Sequence, residues 1–218
     1  NLLKEADEVV TAKNVNSISI INNDFSGFAN LDSSTNKLLN GINISGTIDF
    51  TIQNNNLEAF KINHTGDATN SAINIDGASS NGLVEKNKIN NIEKTSGATI
   101  SGITLASSAT ASNIKIYNNF ISNIRANGNN NSTTGGSGLR IVSGNGYKIY
   151  HNTINLSVMG NNYSNQMLTS AVYIINGTSL DIKNNIFVNT QIGGSIYAIY
   201  SVNNATFSTL NYNNYFAS

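Results

Sequence analysis

The sequence predicts an all-β fold: a right-handed parallel β-helix, a solenoid of about six to seven coils with roughly 32 residues in each. Three observations carry that expectation. A short phrase keeps returning, in which an aliphatic residue and two variable positions precede an asparagine, and a bulky apolar residue follows it two places on. Its asparagines fall at Asn23, Asn55, Asn87, Asn119, Asn152, Asn185 and, with one residue of ambiguity, Asn213, at intervals of 32, 32, 32, 33, 33 and 28. Around them the apolar residues alternate with polar ones, the period of a strand with one buried face. Finally, the chain holds 42 asparagines and 18 glycines, yet its apolar residues occupy fixed places in every repeat, which marks a packed core rather than low-complexity disorder. Right-handed coiling is the default for parallel crossovers.

Taken in order, residues 1–15 come first. Leu2, Leu3, Ala6, Val9 and Val10 stand at helical spacing with charges between, which predicts a short capping helix over the exposed edge of the first coil. Residues 16–218 form the β-helix. One phrase in each period begins with a small residue: Gly41-Ile42-Asn43-Ile44, Ala72-Ile73-Asn74-Ile75, Gly102-Ile103-Thr104-Leu105, Gly138-Leu139-Arg140-Ile141 and Ala171-Val172-Tyr173-Ile174. It reads as a strand entered through a tight corner. The second phrase runs through Ile20, Ile52, Val84, Ile116, Ile149 and Ile182, each three residues before an anchor asparagine. A sharp turn follows, because Phe25, Leu57, Ile89, Ile121, Ile154 and Phe187 resume two residues after the anchor. Asparagine tolerates the left-handed conformation of such a corner, and stacked asparagines can hydrogen-bond to one another. The polar stretch from Arg125 to Ser137 reads as a loop. The ending at Ser218, just after a repeat, leads us to expect that the natural chain continues.

A length of 218 residues with one repeat throughout argues for a single domain. Twelve basic and twelve acidic side chains cancel. Such a chain lacks the electrostatic footprint of a nucleic-acid binder and a basic face for an anionic membrane, and no apolar run approaches membrane-spanning length. The absence of cysteine rules out disulfides and thiolate metal sites and fits an extracellular or cell-surface bacterial protein.

With its asparagines stacked at a turn, the repeat over residues 16–216 resembles the right-handed β-helices of the pectate-lyase-like superfamily. The Asn-Tyr-Phe-Ala-Ser ending also resembles β-helix regions of large secreted surface proteins of the Bacteroidetes. The first resemblance implies enzymes acting on acidic polysaccharides. These use a lysine or arginine base, and often calcium held by clustered carboxylates. The second implies a structural or adhesive module that presents its surface to glycans.

Outward positions decide between them. Asn43, Asn74, Thr104, Arg140, Tyr173 and Tyr200 should line the first strand's outer face, followed two residues on by Ser45, Asp76, Ala106, Val142, Ile175 and Val202. Two acids on adjacent coils, which calcium or hydrolysis requires, do not occur there. Arg140 is therefore the catalytic candidate on this face, and a lyase would use it or the Lys115/Lys148 pair of the second strand. No metal or cofactor is expected, calcium entering only with the lyase alternative. On the second strand Lys115 and Lys148 should lie in register with Asp181 beyond, and Glu85, Tyr117, Tyr150 and Lys183 should form the neighbouring column. Lys115, Tyr117, Lys148 and Tyr150 then offer ring surface for sugars and cations for acidic groups. The alternative is ordinary cross-strand pairing, Lys148 with Asp181 and tyrosine on tyrosine. His64 and His151 are isolated, and His151 replaces asparagine beside the anchor Asn152, which suits a ladder or turn role.

Overall fold

In the computed structural model, which describes residues 8–30, 40–63, 70–96, 99–126, 134–157, 168–192 and 194–218, the described segments form a parallel β-solenoid without a helix. Each coil gives one strand to each of three parallel sheets. The first sheet stacks Glu8–Lys13, Asn40–Ser45, Asn70–Asp76, Ile100–Ala106, Thr134–Ser143, Leu168–Ile174 and Ser195–Ser201. The second stacks Asn16–Ile21, Ile48–Gln53, Leu83–Glu85, Lys115–Tyr117, Lys148–Tyr150, Leu180–Lys183 and Phe207–Asn211. The third runs from Asp24–Ser26 through Asn56–Glu58, Lys88–Ser96, Phe120–Ala126, Thr153–Leu156 and Ile186–Asn189 to Asn214–Ala217.

Register follows the repeat because a one-residue slip would turn every core side chain outward. Val10, Ile42, Ile73, Ile103, Leu139, Val172 and Ile199 occupy one column of the first sheet. Ile20, Ile52, Val84, Ile116, Ile149, Ile182 and Leu210 make the second sheet's column. The third sheet contributes Phe25, Leu57, Ile89, Ile121, Ile154, Phe187 and Tyr215. Away from the two end coils these side chains are buried. Each such burial favours folding by about 1.5–3 kcal/mol.

The small residue that opens each first-sheet phrase is explained by what lies across the core. A β-carbon on Gly102 would stand 2.6 Å from Ile121 Cγ2 and 2.7 Å from the Gly138 carbonyl oxygen. Gly138 is closed in the same way by Ile154 and the Ala171 carbonyl. Backbone and third-sheet side chains thus take the space that a larger residue would need.

Three expectations need correction. Glu8–Lys13 is a strand paired with Asn40–Ser45, not part of a capping helix, because Val10 and Ala12 enter the core alternation; residues 1–7 lie outside the described segments. Of the loop expected over 125–137, residues 125–126 and 134–137 belong instead to the strands Phe120–Ala126 and Thr134–Ser143, and residues 127–133 lie outside the described segments. Val142 does not face Ala106, because a register shift pairs Ala106 with Ser143.

Candidate functional site

The anchor asparagines form a continuous internal ladder. From Asn55 to Asn185 each side chain is at most 2 % exposed. In each, the backbone N–H and Nδ2 donate to Oδ1 of the asparagine one coil on, as in Asn55 to Asn87 (both 3.0 Å) and Asn87 to Asn119 (both 3.0 Å). Nδ2 also donates to a carbonyl of the preceding coil, Asn87 to Ile52 at 2.9 Å. The ladder reaches Asn213, which accepts from Asn185 and removes the ambiguity at the last repeat.

The left-handed corner belongs to the residue before the anchor, not to the anchor. Asn22, Asn54, Lys86, Asn118, His151, Asn184 and Tyr212 all have φ between 52° and 60°. Turn and ladder are therefore divided between two adjacent positions. His151 serves the turn, while His64 lies outside the described residues.

On the second sheet's outer face Lys115, Lys148 and Asp181 stand in one column, as expected. The expected Lys148–Asp181 pair does not form: Asp181 instead accepts from the Tyr150 hydroxyl and pairs with Lys183 at 3.3 Å. Lys115 and Lys148 are exposed, and their ammonium groups have no hydrogen-bond or ion-pair partner among the described residues. With Asn81, Gly82, Leu83 and Asn113 they line an open groove of about 320 Å³. Asn113 Nδ2 donates to Asn81 Oδ1 at 3.4 Å, which sets two side-chain amides beside the two ammonium groups.

The adjoining column is also in register. Gln53 donates to Glu85 at 2.8 Å, and the rings of Tyr117 and Tyr150 stack with centroids 5.1 Å apart at 12°. Lys183 Nζ lies 4.5 Å from the Tyr150 ring centroid. Tyr150 therefore has Tyr117 against its ring and a cation over it. Both faces of the Tyr150 ring are thus taken, by Tyr117 and by Lys183, which leaves that ring without a free face for sugar stacking. The raised phenol pKa values follow from this packing. Burial, then donation to Asp181, pushes Tyr150 well above its ordinary 10.0, and burial followed by the Asp181 charge raises Tyr117. In the core, burial pushes Tyr147 up to about 12; its hydroxyl donates to the Ser143 carbonyl and accepts from Ser107 N–H.

A raised folded-state phenol pKa stabilises the fold fully below pH 10, and that contribution is lost as pH rises through the folded value. Ultraviolet titration of tyrosinate should show Tyr147 and Tyr150 ionising above pH 10. Asp181→Asn should bring Tyr150 back toward 10; an unmoved titration would contradict the role given to Asp181.

Arg140 lies on the first sheet, in register with Thr104 and Tyr173. Its guanidinium carbon sits 4.8 Å from the Tyr173 ring centroid, and Tyr173 stacks on Tyr200 with centroids 5.6 Å apart. Burial lowers the Arg140 pKa, and its buried Nε has no partner among the described residues. The structure keeps Arg140 and the lysine groove apart, on separate sheets.

One feature escaped the sequence reading. On the third sheet Lys61, Glu93 and Arg125 share a column, with Arg125 bonded to Glu93 at 2.7 Å. They edge a cleft of about 280 Å³ together with Ala59, Asn91 and Asn123. Both sets repeat at 32 residues, so the signal was present in the period. It lay beyond the phrase used to define the strand. Among the described residues, no group of three His, Cys, Asp or Glu side chains is placed to hold a metal. Comparison with protein-family models, curated proteins and solved structures finds no match to this chain.

Proposed function

We propose that the chain is a structural and adhesive β-helix module of a secreted or cell-surface bacterial protein, and that its second sheet presents a cationic groove to acidic glycans. Adjacent Lys115 and Lys148 carry this reading. Like charges directly opposite on neighbouring strands destabilise a sheet, and here neither ammonium group has a carboxylate bonded to it among the described residues, since Asp181, next in the column, is held by Tyr150 and Lys183. Two lysines on strands roughly 5 Å apart, with the Asn81 and Asn113 amides beside them, suit the carboxylates or sulfates of an acidic polysaccharide. Tyr117 and Tyr150 border this column two residues on.

Retention on immobilised acidic polysaccharides should exceed retention on neutral ones and weaken with salt. Lys115→Ala with Lys148→Ala should reduce affinity about tenfold or more, corresponding to about 1.4 kcal/mol, with little change in melting temperature. Tyr117→Ala with Tyr150→Ala should weaken binding less. Equal retention of the double-lysine variant and the unaltered chain would remove the groove from consideration.

A second reading, a lyase acting on an acidic polysaccharide, draws on Arg140, whose pKa is lowered in the direction a base requires. Incubation with acidic polysaccharides, with and without calcium, separates the two. Unsaturated oligosaccharides that disappear with Arg140→Ala would establish the lyase. Intact polymer supports the module.

A further inference from the structure

Five asparagines of this chain are followed by glycine: Asn40, Asn81, Asn127, Asn145 and Asn176. Such a pair can lose ammonia, because no side chain on the second residue shields its backbone nitrogen from the asparagine amide. The structure distinguishes among them. Asn40 is 3 % exposed and lies within a strand. The Gly146 N–H donates to the Thr178 carbonyl at 3.0 Å, and the Gly177 N–H donates to Asn176 Oδ1 at 2.9 Å. Asn127 lies outside the described residues. Asn81 differs on both counts. Its side chain is exposed, and at this left-handed corner (φ 54°) the Gly82 N–H has no hydrogen-bond partner among the described residues.

The surroundings of Asn81 also assist the reaction. Asn113 Nδ2 donates to Asn81 Oδ1 at 3.4 Å, and Lys115 and Lys148 line the same open groove. A donor on the amide oxygen, with ammonium groups nearby, stabilises the negative charge that develops there when the amide carbon is attacked.

We infer that Asn81 is a site of spontaneous deamidation, which places a carboxylate in the lysine groove and ends its hold on acidic glycans. That loss rests on the cationic-groove function proposed above, whereas the deamidation stands without it. The Gly82 nitrogen gives its proton to solvent and bonds to Asn81 Cγ, the Cγ–Nδ2 bond breaks, and ammonia departs to leave a cyclic succinimide. Water then opens the ring, and no oxidant or reductant takes part. Cleavage at Cγ leaves aspartate. Cleavage at the main-chain carbonyl leaves isoaspartate, whose backbone runs through the former side chain. Either product supplies the carboxylate that neither lysine has bonded to it among the described residues. Isoaspartate also lengthens the backbone between two fixed points. These are the bonds from Asn81 N–H to the Ser112 carbonyl and from Lys115 N–H to the Gly82 carbonyl, both 2.8 Å.

Peptide mapping by mass spectrometry tests this on the purified chain held in neutral buffer. The peptide containing Asn81 should gain the mass of an amide exchanged for a carboxyl and resolve into aspartate and isoaspartate forms. It should convert about tenfold or more faster than the peptides containing Asn145 and Asn176, the rate equivalent of one retained hydrogen bond. Mild acid, which suppresses loss of the Gly82 proton, should slow it, and so should Asn113→Ala. Retention on immobilised acidic polysaccharide should fall in step with conversion. Aged Asn81→Gln, which would need a larger ring, should keep its retention, and fresh Asn81→Asp should start at the lowered value. Conversion of Asn81 no faster than that of Asn145 or Asn176 overturns the inference. Conversion with undiminished retention overturns its link to the groove. A fresh chain that is not retained at all refutes the cationic groove instead, and the peptide map still decides the deamidation.

Discussion

Asn87→Ala should lower unfolding stability by about 3–5 kcal/mol, because the change strands buried donors that have no route to water. Asn87 Oδ1 accepts both the N–H and the Nδ2 of Asn55, and its Nδ2 serves the Ile52 carbonyl and Asn119 Oδ1. Alanine removes all four bonds and leaves two donors of Asn55 unpaired in a site 1 % exposed. Asn87→Asp is the sharper test. A carboxylate keeps the acceptor for Asn55 but turns a negative oxygen toward two other acceptors. Burial and that repulsion raise its pKa above the usual value near 3.9. The variant should therefore be most stable in mild acid, where the protonated carboxyl can donate, and should lose stability as pH rises through its raised pKa. Urea titrations across pH would read this directly. A loss below about 1 kcal/mol for alanine would mean that relaxation or water replaces the ladder.

Gly82→Ala should cost about 1–3 kcal/mol by overpacking, and Phe50→Leu in the same chain should recover much of it. The Phe50 ring occupies the space that a β-carbon on Gly82 would enter, so one coil carries a large residue and the next carries none. Both positions are buried. Phe50→Leu alone should also destabilise, by opening a void beside Gly82. The two changes together should therefore be less harmful than their sum, a coupling that a double-mutant cycle measures. Strict additivity would show that the ring and the glycine do not share that space.

The period and the alternation made the solenoid legible. Residues at 32- or 33-residue spacing meet because parallel strands stack one coil above the next, so columns such as Lys115 over Lys148 and Tyr117 over Tyr150 could be written down beforehand. The helix expected near Val9 and Val10 failed for a related reason. Five apolar residues in a short segment fit a helix locally, yet pairing with Asn40–Ser45 supplies a ladder of hydrogen bonds that a segment this short cannot match alone. Lys94 is a different case: it is fully buried in a column shared with Ile62 and Ala126, where the alternation predicts an apolar side chain.

The sequence by itself determined which residues share most columns, since register follows spacing along a parallel stack wherever no bulge intervenes, as one does where Ser143 stands opposite Ala106. It also determined which face of each strand is apolar. Tertiary structure alone decided how neighbours within and between columns use their groups. Asp181 turned to Tyr150 and Lys183 instead of Lys148, and the Tyr150 ring was held between Tyr117 and Lys183. Phe50 filled the room over Gly82, and the left-handed corner fell one residue before each ladder asparagine. These outcomes rest on side-chain rotamers, volumes and hydrogen-bond angles. Spacing does not encode them, because several partners stand at similar distance and only packing in three dimensions selects among them.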